Sequence, residues 1–245
     1  MKNVPVALQL YSVREDTRAD FARTVAEVAK IGYRGVELAG YGNLDAARAK
    51  AALDSAGLEV AGMHAGIDAL RRGLNDVVGD ALLFGTRHVV CSWLPPALYV
   101  SAAAAQQIGE ELNAIGSALR AFGLRFSFHN HAAEFKLIEG RPVFSWMLGA
   151  AEPRNLGAEL DVYWAHVGGY PPARFLRDQG ERVRLVHLKD EKELGLGPVN
   201  FADVFHALES IRTAEWYIVE QEEYSHAPLE SMRRCFEQPK AWGTA

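Results

Sequence analysis

The chain has 245 residues, of which 49% are hydrophobic and 23% charged, and its net charge is −5. That balance suits a soluble globular protein and argues against a binder of nucleic-acid backbones, which needs a basic face. No apolar run approaches the ~18 residues that a membrane span requires. The two cysteines, Cys91 and Cys235, show no paired spacing, so reduced thiols and a cytoplasmic location are expected. The first residues, 1–5, run straight into a strand pattern without the apolar core of a leader peptide.

In chain order, short apolar runs predict strands at 6–10, 35–38, 58–63, 88–92, 124–128, 156–160, 183–188 and 217–219. Continuous apolar runs, rather than strict alternation, are what strands covered on both faces should show. Amphipathic stretches lie between them. Residues 20–31 place Phe21, Val25, Val28 and Ile31 on one helical face, and 45–56, 67–83 and 102–122 read the same way. Gly32, Gly57, Gly85 and Gly123 stand just beyond as helix terminators. This alternation predicts a parallel sheet with helical crossovers, and the length matches the ~250 residues typical of a (β/α)8 TIM barrel. No linker or low-complexity tract divides the chain, so one α/β domain over 1–245 is expected.

Barrel chemistry sits at the carboxyl ends of strands. Those ends carry Gln9 and Tyr11, Glu37, His64, Trp93, His129 with His131, Asp161, His187 with Lys189, and Glu220 with Gln221. Asp161, His187 and Glu220 end successive strands, so they can converge on one divalent ion such as Mn²⁺, Mg²⁺, Co²⁺ or Zn²⁺. The fourth ligand should come from the end of the fifth strand. Glu134 is the expected one, because it adds negative charge, although His129 and His131 stand nearer the strand. Each residue also has an ordinary alternative: Asp161 as a helix cap, His187 as a core histidine, Glu220 as part of a solvated acidic run, Glu37 in a salt bridge to Arg34 or Arg14. Placement at four consecutive strand ends weighs against all of these holding together. Glu37, His129, His131 and Lys189 are the candidate acid/base and charge-stabilising groups. Gln9, Tyr11, His64, Trp93, Trp164 and Gln221 are candidates for holding substrate, the tryptophans by stacking on a sugar face. Lys189 and Asp190 are adjacent and able to pair with each other.

With these residues in place, the sequence resembles the xylose isomerase-like barrel superfamily, in particular its sugar phosphate isomerase/epimerase branch. The matching pieces run from Leu8-Gln9-Leu10-Tyr11 through Gly35-Val36-Glu37-Leu38, His129-Asn130-His131 to Glu134-Phe135, Glu159-Leu160-Asp161, His187-Leu188-Lys189-Asp190 and Val219-Glu220-Gln221. The resemblance implies a divalent ion, often manganese, held by Asp161, His187 and Glu220, and a small sugar or inositol substrate. It also implies that oligomers are common. Relatives carry a glutamate on the fifth strand itself, where this chain has Ser127 or His129. A loop that often reads Gly-x-Gly-x-x-Asp-Phe has Asn200 in place of the aspartate, a change expected to bear on helix capping. The implied chemistry is removal of a proton next to a carbonyl by His129, His131 or Glu134, followed by epimerisation, isomerisation or elimination. Inosose dehydration and 3-keto-glycoside elimination are the lyase alternatives. Less favoured are an abasic-site endonuclease with a cluster of zinc ions and a non-catalytic sugar-binding barrel. The sequence carries no glycine-rich phosphate cradle, which leaves a non-phosphorylated substrate open.

Overall fold

A computed structural model describes residues 4–242; the outermost residues, including most of the 242–245 tail, lie outside it. Eight parallel strands close into a barrel. They are β1 (Val6–Gln9), β2 (Gly35–Leu38), β3 (Glu59–Ala65), β4 (His88–Cys91), β5 (Arg125–His129), β6 (Gly157–Asp161), β7 (Val183–Leu188) and β8 (Trp216–Val219). Each pairs with its neighbours in sequence order, and β8 closes on β1 through Val6 and Tyr217. All eight match the expected segments to within a residue or two, because strands walled by helices outside and side chains inside carry little polar interruption. A two-stranded ribbon, Leu137–Ile138 against Arg141–Pro142, decorates the connection after β5.

The helices follow the predicted faces with two departures. The first runs Arg14–Ile31, but Asp20 inside it is non-helical (φ −159°, ψ 94°), and its carboxylate accepts the backbone N–H of Arg23. Asp20 therefore starts the amphipathic part, and Phe21, Val25 and Val28 beyond it are fully buried. The stretch expected as one helix over 67–83 is two, Ile67–Arg72 and Leu74–Phe84, broken where Gly73 leaves helical geometry at φ −127°. No helix among the described residues is long and apolar enough to cross a membrane.

Inside the barrel, Ala7, Ala61, Val90, Leu185 and Ile218 form a small apolar plug. Along a strand, residues two apart share a face. The inward positions one step towards the carboxyl ends are Gln9, Glu37, His129, Glu159, His187 and Glu220, all buried and all polar. Burying that many polar groups is costly unless each finds a partner.

Candidate active site

The inward carboxylates and imidazoles form two groups that share His187. The outer group is His129, Asp161, His187 and Glu220, at the ends of four consecutive strands. One donor atom from each lies within 4.8 Å of the others. His129 Nε2 is 3.7 Å from Asp161 Oδ2 and 3.9 Å from Glu220 Oε2, while His187 Nδ1 is 3.0 Å from Glu220 Oε2. His129 Nε2 and Asp161 Oδ2 are buried with no hydrogen-bond partner. Two orphaned atoms beside a hydrogen-bonded pair, two nitrogens and two oxygens in all within 4.8 Å of one another, suit a divalent cation.

Local structure aims these groups. The Asn130 side chain donates to the Asp161 carbonyl at 3.1 Å and accepts its N–H at 2.9 Å, locking the end of β5 to the end of β6. Asp161 then splits its two oxygens. Oδ1 caps the helix Val162–Val167 by accepting the Trp164 N–H at 2.7 Å, and Oδ2 faces the group.

The inner group is Glu37, His64, Glu159 and His187. His64 Nε2 lies 2.8 Å from Glu159 Oε2 and 3.2 Å from Glu37 Oε2. Gln9 Nε2 donates to Glu37 Oε2 at 2.7 Å. Neither Arg34 nor Arg14 reaches Glu37: Arg34 pairs with Glu59, and Arg14 contacts Tyr11 and Tyr224. At Gly62 a Cβ would stand 2.7 Å from Glu37 Oε1, so any larger residue there would push the Glu37 carboxylate aside. Sequence reading passed over Glu159. Its signal was its position two residues before Asp161, on the same strand face, and its register partner across the sheet is His129.

Burial and mutual charge set the protonation pattern. Burial, reinforced by the nearby His187, lowers His129 to about 3, and burial with His129 lowers His131 to about 4, so both rings are neutral. Burial disfavours a charged His64, but the carboxylates of Glu37 and Glu159 outweigh it and raise the ring to about 10. Burial and the neighbouring Glu220 raise Asp161 to about 6, against the opposing pull of Lys189. Glu220 is held well below the usual carboxylate range because Lys189 and His187 overcome the cost of its burial.

A cavity of about 390 Å³ opens onto the outer group, lined by Tyr11, Ala39, His64, Ser92, Trp93, His129, His131, Glu220 and Glu222. Of the candidate site residues, Tyr11, His64, Trp93, His129 and His131 stand on this wall. Four expectations need correction. Glu134 is not in the group: the chain turns away after Asn130, and its buried carboxylate accepts from Tyr99 Oη at 2.5 Å and the His131 N–H at 2.8 Å. His129 occupies the fifth-strand place instead. Gln9 and Glu37 are sequestered beneath the cavity by the contacts above. Gln221, one position on from Glu220, is fully buried and does not line the cavity. Lys189 does not pair with Asp190; it contacts Glu220 at 3.4 Å and Glu222, with its ammonium 5.0 Å above the Trp164 ring. Asp190 accepts the N–H groups of Glu191, Gly195 and Gly197 at 3.1 Å each, folding the following loop around itself. A Cβ at Gly197 would stand 2.1 Å from Asp190 Oδ1, so the close approach demands glycine there. Asn200 caps the next helix by accepting the Asp203 N–H, as its place in that loop predicted.

The family model described as a xylose isomerase-like TIM barrel matches residues 25–242. The chain belongs to that family. Among curated proteins, none matches significantly. A crystal structure of a sugar phosphate isomerase/epimerase from Parabacteroides distasonis superposes with a TM-score of 0.86 at 20% identity, covering 96% of this chain and 97% of that one. The D-allulose 3-epimerase from Methylomonas sp., in complex with D-allulose, gives 0.77 at 17% identity, covering 98% of each chain. A probable 3-DHS dehydratase from Bacillus anthracis gives 0.75 at 14%, covering 96% and 98%. At these identities the likeness establishes the shared barrel.

Proposed function

We propose that this member of the xylose isomerase-like family is a divalent-metal-dependent sugar isomerase or epimerase. Its substrate on this reading is a non-phosphorylated keto sugar or inositol derivative. The observation that carries the reading is the pair of orphaned donor atoms, His129 Nε2 and Asp161 Oδ2, beside His187 and Glu220 at the cavity. These four residues would hold the ion; Mn²⁺ is expected, and Mg²⁺, Co²⁺ or Zn²⁺ suit the same donors. Once bound, the ion would polarise a carbonyl and acidify the neighbouring C–H.

The chain's own residues supply the rest. With His129 used as a ligand, His131 is a neutral imidazole on the cavity wall and would take the proton. Returning it to the opposite face of the same carbon is epimerisation, and returning it to the adjacent carbon is isomerisation. Lys189 is held charged, because Glu220, Asp161 and Glu222 outweigh its burial, so it balances the carboxylates rather than acting as a base. Trp93 and Tyr11, both substantially exposed at the mouth, offer faces to a sugar ring. Among the described residues the cavity wall carries no arginine or lysine, which supports a substrate without phosphate.

Elimination of a β-hydroxyl or glycosidic oxygen is the second reading. It is favoured by His131 standing on the cavity wall as a neutral imidazole beside the ligand His129, since abstraction followed by expulsion needs no second base on the far face. Incubation of the Mg²⁺-loaded protein with keto sugars and inososes in D₂O, followed by NMR, tests both. Deuterium at the carbon beside the carbonyl supports proton abstraction, and loss of water or aglycone selects elimination. No exchange and no product across the panel would contradict the enzymatic reading.

A further inference from the structure

His187 has two ring nitrogens in two different settings. Nδ1 faces the outer group, 3.0 Å from Glu220 Oε2. Nε2 faces the barrel interior, 2.8 Å from Glu37 Oε2 and 3.3 Å from Glu159 Oε2. An ionised carboxylate only accepts hydrogen bonds, so a nitrogen wedged between two of them must carry the proton. By the same rule Nδ1 carries a proton towards Glu220 in the ion-free protein, and an ion bound there would take that proton's place and leave Nε2–H as the ring's one donor. We propose that Glu37 and Glu159 are positioning residues that pin the Nε2–H of His187 and so present Nδ1 to the ion. The inference rests on the metal-dependent reading above and deepens it.

The two carboxylates are themselves held from behind. Gln9 donates to Glu37 at 2.7 Å, and His64 Nε2 sits between Glu37 and Glu159. Gly62 lets Glu37 come in close beneath. A register shift between Ala158 and Glu159 pairs Glu159 with Leu185 of β7, and its carboxylate reaches to 3.3 Å from His187 Nε2. The inner group has the composition of a second cation site, but Gln9, His64 and His187 already converge on its two Oε2 atoms. A second ion would have to displace those contacts and compete for His187.

Glu159→Gln tests this, with Zn²⁺ affinity and stoichiometry measured by chelator competition and the tautomer of His187 read by ¹⁵N NMR. Outer hydrogen-bond partners of metal-bound histidines typically set affinity by about 10- to 100-fold. The unaltered protein should bind one Zn²⁺ per chain with a protonated Nε2 on His187, and Glu159→Gln should bind one ion about 10- to 100-fold more weakly. Unchanged affinity, or a proton on Nδ1 in the loaded protein, would overturn the assignment. So would a fall from two ions to one, which would make the inner group a metal site in its own right. If Glu159→Gln does not fold, Glu37→Gln carries the same comparison. Failure of the unaltered protein to bind zinc would overturn the metal reading and this assignment together, whereas one-ion binding indifferent to both variants would overturn this assignment alone.

Discussion

Asp161 and Trp164 are joined by a 2.7 Å hydrogen bond from the Trp164 N–H to Oδ1, while the other Asp161 oxygen is buried and unpartnered in the outer group. The helix-cap and metal-ligand readings of this residue are therefore compatible, one per oxygen.

That division predicts different outcomes for two substitutions. Asp161→Asn keeps an oxygen for the cap but loses the charge, so it should melt close to the unaltered ion-free protein and fail to bind Mn²⁺. Asp161→Ala should lose both, at about 1 kcal/mol of stability for the missing cap. Thermal melts and manganese titration of both variants check this. Tight Mn²⁺ binding by Asp161→Asn would remove Asp161 from the ligand set.

Glu134 should behave as a structural residue. Glu134→Ala strands the buried Tyr99 hydroxyl and the His131 N–H and should cost roughly 1–3 kcal/mol in urea denaturation. Glu134→Gln, which keeps the shape, should bind Mn²⁺ with unchanged affinity. A large loss of affinity in Glu134→Gln would restore it as a ligand.

These two residues mark how far the sequence could be read. The strands were legible because β1 to β8 are buried on both sides and their apolar runs stand out between glycine-terminated helices. Asp161, His187 and Glu220 were legible because each directly follows such a run. Glu134 was misplaced because linear spacing carries no trace of the Asn130 clamp, which ends β5 and sends the chain away from the barrel axis. Glu159 went unremarked because it lies within a strand rather than at its tip, although its two-residue step to Asp161 already put both on the inner face. The inward bond of Gln9 to Glu37 depends on the register Gln9↔Glu37 between β1 and β2, which only the closed sheet fixes.

The pH dependence of stability should carry the mark of His64. Its folded pKa of about 10 stands above the ~6.5 of an unfolded histidine. The stabilisation from this raised group is fully present below the unfolded value and is lost as pH rises through the folded one. Urea denaturation of the ion-free protein should therefore show stability falling as pH is raised from ~7 towards 10, and His64→Gln should flatten that slope. A slope identical in the two proteins would show that His64 carries no charge in the folded state.

Trp93 should matter to substrate rather than to folding, since the residue is 49% exposed at the cavity mouth. An aromatic contact worth about 0.5–1.5 kcal/mol corresponds to a rise in KM of roughly 2- to 12-fold for Trp93→Ala, with kcat and melting temperature little changed. Steady-state kinetics on whichever sugar shows solvent exchange check it. An unchanged KM would place the substrate elsewhere in the cavity.

The most direct measurement is a count of bound metal. The protein is stripped with a chelator, reloaded with Mn²⁺, desalted and analysed by elemental mass spectrometry. Convergence of His129, Asp161, His187 and Glu220 on one ion predicts one manganese per chain. A count of zero, or a cluster of three, would contradict it.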